Sequence, residues 1–247
     1  MGFSAPSRST GWILGLVFGL WTLYPSQPVY GQVQSTFHVI PQIADGTFPD
    51  GSFYASLFFV TNLNDAAPVT CTLTPYGVPA SRFLQLSFIM PTGVSEYVNA
   101  TTATSGPLAT GFATLSCTNT VAVNTVYIYS NPSEIVSEAT VFSAAPFLKA
   151  SVSGLQTSKT RVAIAIANNS SVSVPCQVIV NVNGTIIGQT ITIPPYSNVA
   201  RFVDEILSLP SNPGPLPVYL QATQPLYAIG LMYTGNQFTT LPPTIYY

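Results

Sequence analysis

The 247 residues are 47% apolar and 12% aromatic but only 6% charged, against about 25% charged in an ordinary soluble domain. Six Lys and Arg against eight Asp and Glu leave a formal net charge of −2, which excludes a basic face able to neutralise a run of phosphates, and with it nucleic acid as a partner. Twenty-two prolines and seventeen glycines exclude a coiled coil, and the low charge excludes a charged disordered chain, so the composition points to an apolar, turn-punctuated, β-rich protein.

Residues 1–31 have the three-part layout of a secretory signal peptide: a short start whose single charge is Arg8, an apolar run over 11–24, and a close at Pro25-Ser-Gln-Pro-Val-Tyr-Gly31. Val29 and Gly31 supply the small residues that signal peptidase requires, so cleavage is expected between Gly31 and Gln32. The fourteen-residue apolar run falls short of the ~20 residues that span a bilayer, which ranks an uncleaved anchor second and predicts no membrane span in the mature chain. The mature protein is expected to be secreted, periplasmic or at the cell surface.

Near the start of the mature chain stands His38, the one histidine of the sequence. A metal site or a Ser/His relay would have to be built around it alone, and no Gly-x-Ser-x-Gly elbow accompanies it, so it reads as a strand-end histidine. The stretch Asp45-Gly-Thr-Phe-Pro-Asp50-Gly, with Asp65 in a later loop, offers the best oxygen ligands for calcium. The spacing is not that of a calcium loop, and Asp-Gly forms turns on its own account. Asp45, Asp50 and Asp65 are therefore weak calcium candidates, and no metal, cofactor or catalytic residue is assigned.

Two stretches about 105 residues apart resemble each other. Tyr54-Ala-Ser-Leu-Phe-Phe-Val-Thr-Asn62 matches Arg161-Val-Ala-Ile-Ala-Ile-Ala-Asn168, each an apolar strand ending at Asn. The segment starting Val69-Thr-Cys71 matches that starting Val174-Pro-Cys176, and Ala113-Thr-Leu-Ser-Cys117 matches Val218-Tyr-Leu-Gln-Ala222. An aromatic strand follows each copy, Val126-Tyr-Ile-Tyr129 and Leu231-Met-Tyr233. Alternation of Val162, Ile164 and Ile166 with Ala163, Ala165 and Ala167 predicts a strand buried on both faces. Turns are expected at Asp45-Gly46, Asp50-Gly51, Asn183-Gly184 and Pro194-Pro195. One helix is predicted over 199–209, with Phe202, Val203, Ile206 and Leu207 on one face and Pro210 as its stop.

These elements define an all-β fold: two tandem immunoglobulin-like antiparallel β-sandwiches after the signal peptide, with one short helix in the second. The expected units are 1–31, 32–154 and 155–247. Three cysteines in an exported chain allow one disulfide. Cys71 and Cys117 lie on different strands of one copy and can staple it, whereas Cys176 has no such companion, because Ala222 stands where the second copy would carry it; the alternative is three small buried hydrophobes.

Asp204 and Glu205 are adjacent, so they do not form a glycosidase pair on a helix, and Arg201 one turn earlier predicts a surface ion pair. Sequons at Asn99, Asn168, Asn169 and Asn183 matter only in a eukaryotic secretory pathway. Tyr76, Tyr219 and Tyr233 are candidates for a sugar-stacking platform.

The segments Ile40-Pro-Gln-Ile-Ala-Asp-Gly46, Val162-Ala-Ile-Ala-Ile-Ala-Asn-Asn-Ser170, Ala200-Arg-Phe-Val-Asp-Glu205 and Phe238-Thr-Thr-Leu-Pro-Pro243 resemble the signatures of an uncharacterised β-sandwich repeat of exported and surface proteins of environmental bacteria. The resemblance covers about residues 36–244 and implies export and a sandwich fold, with no assigned chemistry. The first copy lacks the Phe-Thr-Thr-Leu-Pro ending.

The leading expectation is an exported, non-enzymatic structural or interaction module at the cell surface or outside the cell, with an unidentified protein or polysaccharide of the envelope as partner. The alternative is a carbohydrate-binding or adhesive protein using exposed aromatics. An outer-membrane β-barrel, suggested by the alternating strands and the Ile245-Tyr-Tyr247 end, ranks third, and an enzyme last. With so few charges, sheet edges lack lysine gatekeepers, which predicts self-association.

Overall fold

The computed structural model describes residues 34–64, 66–93, 95–101 and 106–246. The signal segment expected at 1–31, and Asp65, lie outside the described residues. In the first half, β1 (Ser35–Thr47), β2 (Phe53–Asn62), β3 (Val69–Tyr76), β4 (Ser87–Met90), β5 (Ser95–Ala100), β6 (Ala109–Ser130) and β7 (Ile135–Phe142) form a seven-stranded antiparallel sheet. In the second half, β8 (Phe147–Gln156), β9 (Thr160–Asn168), β10 (Val174–Val182), β11 (Thr185–Ile193), β12 (Ser197–Phe202), β13 (Gly214–Thr234), β14 (Gln237–Leu241) and β15 (Thr244–Tyr246) form an eight-stranded one. The α-helix of the described residues is α1 (Val203–Ile206).

Each sheet folds over itself around one long strand. The first part of β6, residues 109–117, pairs with β1 and β3, while residues 121–130 pair with β2 and β7. This gives two layers, β4-β3-β6-β1 and β5-β2-β6-β7. Strand β13 does the same in the second half: residues 214–222 pair with β8 and β10, and residues 227–234 with β9 and β14. The sequence reading separates Ala113 to Thr118 from Val126 to Tyr129. They are one 22-residue strand, because no Gly or Pro after Gly111 interrupts the ladder.

Between the layers of the second half, Val162, Ile164 and Ile166 of β9 meet Val178 and Val180 of β10 and Val218 and Leu220 of β13. Between those of the first half, Phe58 and Val60 of β2 meet Leu73 of β3 and Leu115 of β6. Both sheets end in edge strands and enclose apolar side chains, so the closed barrel with a wet lumen does not describe this fold. No helix among the described residues is long and apolar enough to cross a membrane.

Three boundaries differ from the sequence reading. The helix expected over 199–209 is a strand up to Phe202, because Ser197 to Phe202 pair residue for residue with Asn168 to Ala163 of β9. Only four residues turn into α1, where Val203 and Ile206, followed by Leu207, enter the core. Asp45-Gly46 is no turn; it lies inside β1, and a Cβ on Gly46 would stand 2.6 Å from the Pro107 carbonyl oxygen at a φ of +134°. Residue 154 lies within β8, which pairs with β13 and β15, so the link between halves is 143–146. The turn at Asn183-Gly184 has positive φ at both residues, 51° and 83°, as a two-residue hairpin requires.

Candidate functional site

Strand β9 is buried on both faces, and its two faces serve different halves. The β-branched residues fill the second sandwich, while Ala163, Ala165 and Ala167 turn towards the first half. Methyl side chains let the two sheets approach closely, and the aromatic residues around them fill what is left. Tyr127 of β6 stacks on Tyr54 of β2 with centroids 5.1 Å apart. Phe238 of β14 lies 5.2 Å from Tyr127 and 5.3 Å from Tyr233 of β13.

Polar contacts fix the same junction. Asn198 of β12 donates to the Pro41 and Gly111 carbonyls and to Gln42 Oε1 at 3.0 to 3.2 Å. The Phe238 N–H donates to Ser137 Oγ of β7 at 2.9 Å, and the Thr240 hydroxyl to the Thr140 carbonyl. The two halves are thus one packed body joined by a shared core.

Two openings flank this junction. A cleft of about 180 Å³ is lined by Gln42, Ala165, Ala200, Phe202, Glu205 and Tyr233 among others. An open depression of about 470 Å³ is lined by Phe48, Asp50, Ser52, Tyr54, Tyr129 and Asn236. In the depression Phe48 sits edge-on to Tyr54 at 5.9 Å, and Tyr54 lies 4.9 Å from Tyr129. Rings beside Asp, Ser and Asn side chains make a surface that stacks apolar faces and hydrogen-bonds hydroxyls. Burial, reinforced by neighbouring tyrosines, lifts Tyr127 and Tyr233 well above the ordinary phenol range, and burial lifts Tyr54 as well. These tyrosines stay neutral in water, so they offer hydrogen bonds and ring faces rather than a base.

One rim of the cleft is an ion-pair fork. Arg161 donates to Asp204 at 2.6 and 3.0 Å and to Glu205 at 3.1 Å, and its guanidinium lies 3.6 Å from the centroid of the Phe202 ring. Gln156 Nε2 adds a bond to Asp204 at 3.0 Å. The Arg161 bonds hold the Asp204 carboxyl below its ordinary range. The ion pair expected from Arg201 is made by Arg161 instead: with 201 in a strand, Arg201 and Glu205 no longer stand one helical turn apart.

The remaining sequence candidates are dispersed. His38 is buried, with Nε2 3.0 Å from the Ser35 carbonyl and Nδ1 3.0 Å from Ser143 Oγ. The carbonyl requires the proton on Nε2, so Nδ1 accepts from the Ser143 hydroxyl; burial pushes the imidazole pKa down. This pair pins β1 to the link between halves. Asp45 is buried against Arg82, 3.2 Å away. Asp50 accepts from the Ser52 N–H and hydroxyl at 2.9 and 2.6 Å in an exposed turn. No group of three or more His, Cys, Asp or Glu converges among the described residues.

Cys71 and Cys117 form a disulfide across the β3–β6 ladder. Cys176 is a buried free thiol, raised to about 12 by burial. Tyr76, Tyr219 and Tyr233 form no common platform. Tyr76 stacks on Phe112 and Tyr196 at 4.5 and 5.7 Å, Tyr219 is exposed on β13, and Tyr233 belongs to the junction. Asn168 is buried and bonded to three carbonyls, so its sequon is closed, whereas Asn183 is exposed on its hairpin.

Sequence reasoning misses Gln42 and Asn198 as partners, because they lie 156 positions apart along the chain. It also misses Phe48, Tyr54 and Tyr129 as a group, although the turn at Asp50-Gly51 marks the hairpin that brings them together. Comparison with known proteins finds no family model that matches the chain, and no curated protein that matches it. Among solved structures it has a likeness to an "anti-sigma factor domain-containing protein", at 8% identity and a TM-score of 0.18, over 86% of this chain and 98% of that one. A likeness at that score carries no argument.

Proposed function

We propose that the protein is an exported, non-enzymatic tandem β-sandwich that works as an interaction module at the cell surface or outside the cell. The observation that carries this reading is the Cys71–Cys117 disulfide, since such bridges persist in oxidising compartments. The secretory layout of residues 1–31 agrees with it. Duplication is supported by the pairing registers: Cys71 faces Cys117 and Cys176 faces Ala222, the same position 105 residues on. The repeat of exported bacterial proteins that the sequence resembles is the proposed kinship. Mild crosslinking of the producing cells tests the role. Recovery of the protein crosslinked to one envelope polymer or protein supports it, and recovery only as free protein in the medium counts against it.

A second reading, carbohydrate binding, is favoured by the depression where Phe48, Tyr54 and Tyr129 stand beside Asp50, Ser52 and Asn236. Affinity electrophoresis through polysaccharide-containing gels tests it. Retardation lost in Phe48→Ala and Asn236→Ala supports this reading, and unretarded wild-type protein across acidic and neutral polysaccharides removes it.

A further inference from the structure

The two sheets handle one corresponding edge differently. In the first half that edge is β4, four residues long and closed by Pro91. The segment before β4 ties it to the other layer, through a bridge between Phe83 and Thr101 and a bond from the Leu84 N–H to the Ala100 carbonyl at 3.1 Å. In the second half the edge is β11, nine residues long, paired to β10 along its whole length on one side. Neither charge nor proline interrupts Thr185-Ile-Ile-Gly-Gln-Thr-Ile-Thr-Ile193. Eight of its nine residues are exposed or half-buried, and Ile186 is 74% exposed. Such an edge presents unpaired N–H and C=O groups to any strand of matching pattern.

We propose that β11 pairs with β11 of a second copy of this chain, antiparallel and centred on Gln189. The strand is complementary to itself in that register. Gln189 is the midpoint of the nine residues, so all nine pair and Gln189 meets its own copy. Ile187 then faces Ile191 on the core side, and Ile186 faces Thr192 on the outer side.

Of the core-side isoleucines, Ile193 is fully buried, whereas Ile187 and Ile191 are only partly buried against the second core, and their counterparts in the other copy complete their cover. Gln189 stands on the same side, opposite buried Val178, yet is exposed. The absence of charge on the strand means two identical edges meet without repulsion, which a partner chosen by ionic complementarity would not require. A slip by one residue would turn the isoleucines outward, so this register is selected over its neighbours. The contact is isologous and closes as a two-fold dimer rather than a fibre. It is independent of whether the junction binds anything, since neither opening that flanks the junction is lined by a residue of β11.

The test is a charge swap at the two-fold position, read by light scattering on a sizing column at tens of micromolar. Wild-type protein is expected to run at twice the chain mass, Gln189→Lys and Gln189→Glu each at chain mass, and their equimolar mixture as a heterodimer again at twice the mass. Because Gln189 is exposed, both variants should keep the wild-type far-ultraviolet circular dichroism, and the mixture controls for any loss of fold. Wild-type protein at chain mass up to 100 μM would overturn the proposal. So would dimers that survive both single substitutions, or a mixture that stays monomeric.

Discussion

Asn62 and Asn168 hold corresponding places in the two halves, each buried at the last residue of a strand and each tying that strand to the end of an edge strand. Asn62 Nδ2 donates to the Pro91 carbonyl at 2.7 Å, just past β4, and its Oδ1 accepts from the Asn64 N–H at 2.8 Å. Asn168 Nδ2 reaches the Val172, Ile193 and Pro194 carbonyls at 2.7 to 3.1 Å, and its Oδ1 accepts from the Ser170 N–H at 2.9 Å. One amide thus satisfies backbone groups of a turn and of the next layer.

Asn168→Ala should be among the costliest polar substitutions in the protein. It strands the buried Ile193 carbonyl and, at once, the partly buried Val172 and Pro194 carbonyls and the Ser170 N–H, for a loss of about 2–3 kcal/mol. Asn62→Ala should lose somewhat less, because one of its two amide contacts is long, 3.4 Å to the Ala67 carbonyl. Urea titrations of both variants check the order.

The disulfide gives a paired prediction. Cys71 and Cys117 close a loop of 46 residues, worth about 4 kcal/mol in the chain-entropy picture, so reduction should lower the unfolding midpoint sharply. Ala222 faces Cys176 in the second half as Cys117 faces Cys71 in the first. Ala222→Cys should form a second bridge. Thiol titration in denaturant should find one free thiol in wild-type protein and none in the variant.

Acid stability should carry the signature of His38. Burial lowers its pKa in the folded protein, so the unfolded chain takes up a proton first, near 6.5. The stabilisation is complete above about pH 6.5 and is lost as pH falls from there through the lowered folded value, by at most about 1.4 kcal/mol per unit. As the chain has one histidine, His38→Gln should flatten this slope. Unfolding free energies at pH 7.5, 6.5 and 5.5 decide it.

Arg161→Ala removes the fork to Asp204 and Glu205 and the stacking on Phe202. Both partners are partly exposed, so screening keeps the loss to about 1 kcal/mol, and less in high salt. Arg161→Lys should recover only part of it, because an ammonium neither forks nor stacks. Thermal melts at low and high salt compare the three proteins.

How far the sequence reached depends on the range of the interaction. The alternation in Val162 to Ala167 and the Asn183-Gly184 turn are local, and both read correctly. The Asn that ends each matched strand was visible, but its role was not, because the carbonyls its Nδ2 donates to lie 4 to 29 residues away. The helix over 199–209 fails because Phe202, Val203, Ile206 and Leu207 have helical spacing, whereas the ladder with β9 extends over Ser197 to Phe202. The junction was not legible at all: no local pattern says that Ala165 of β9 and Tyr127 of β6 share a core.

Export is the central claim, and the most direct measurement is mass spectrometry of the protein from fractionated producing cells, alkylated before lysis. The account predicts a chain beginning at Gln32, found outside the cytoplasm, with Cys71 and Cys117 joined and Cys176 as the free thiol. A chain retaining residues 1–31 in the cytoplasm, with all three cysteines alkylated after denaturation, would contradict it.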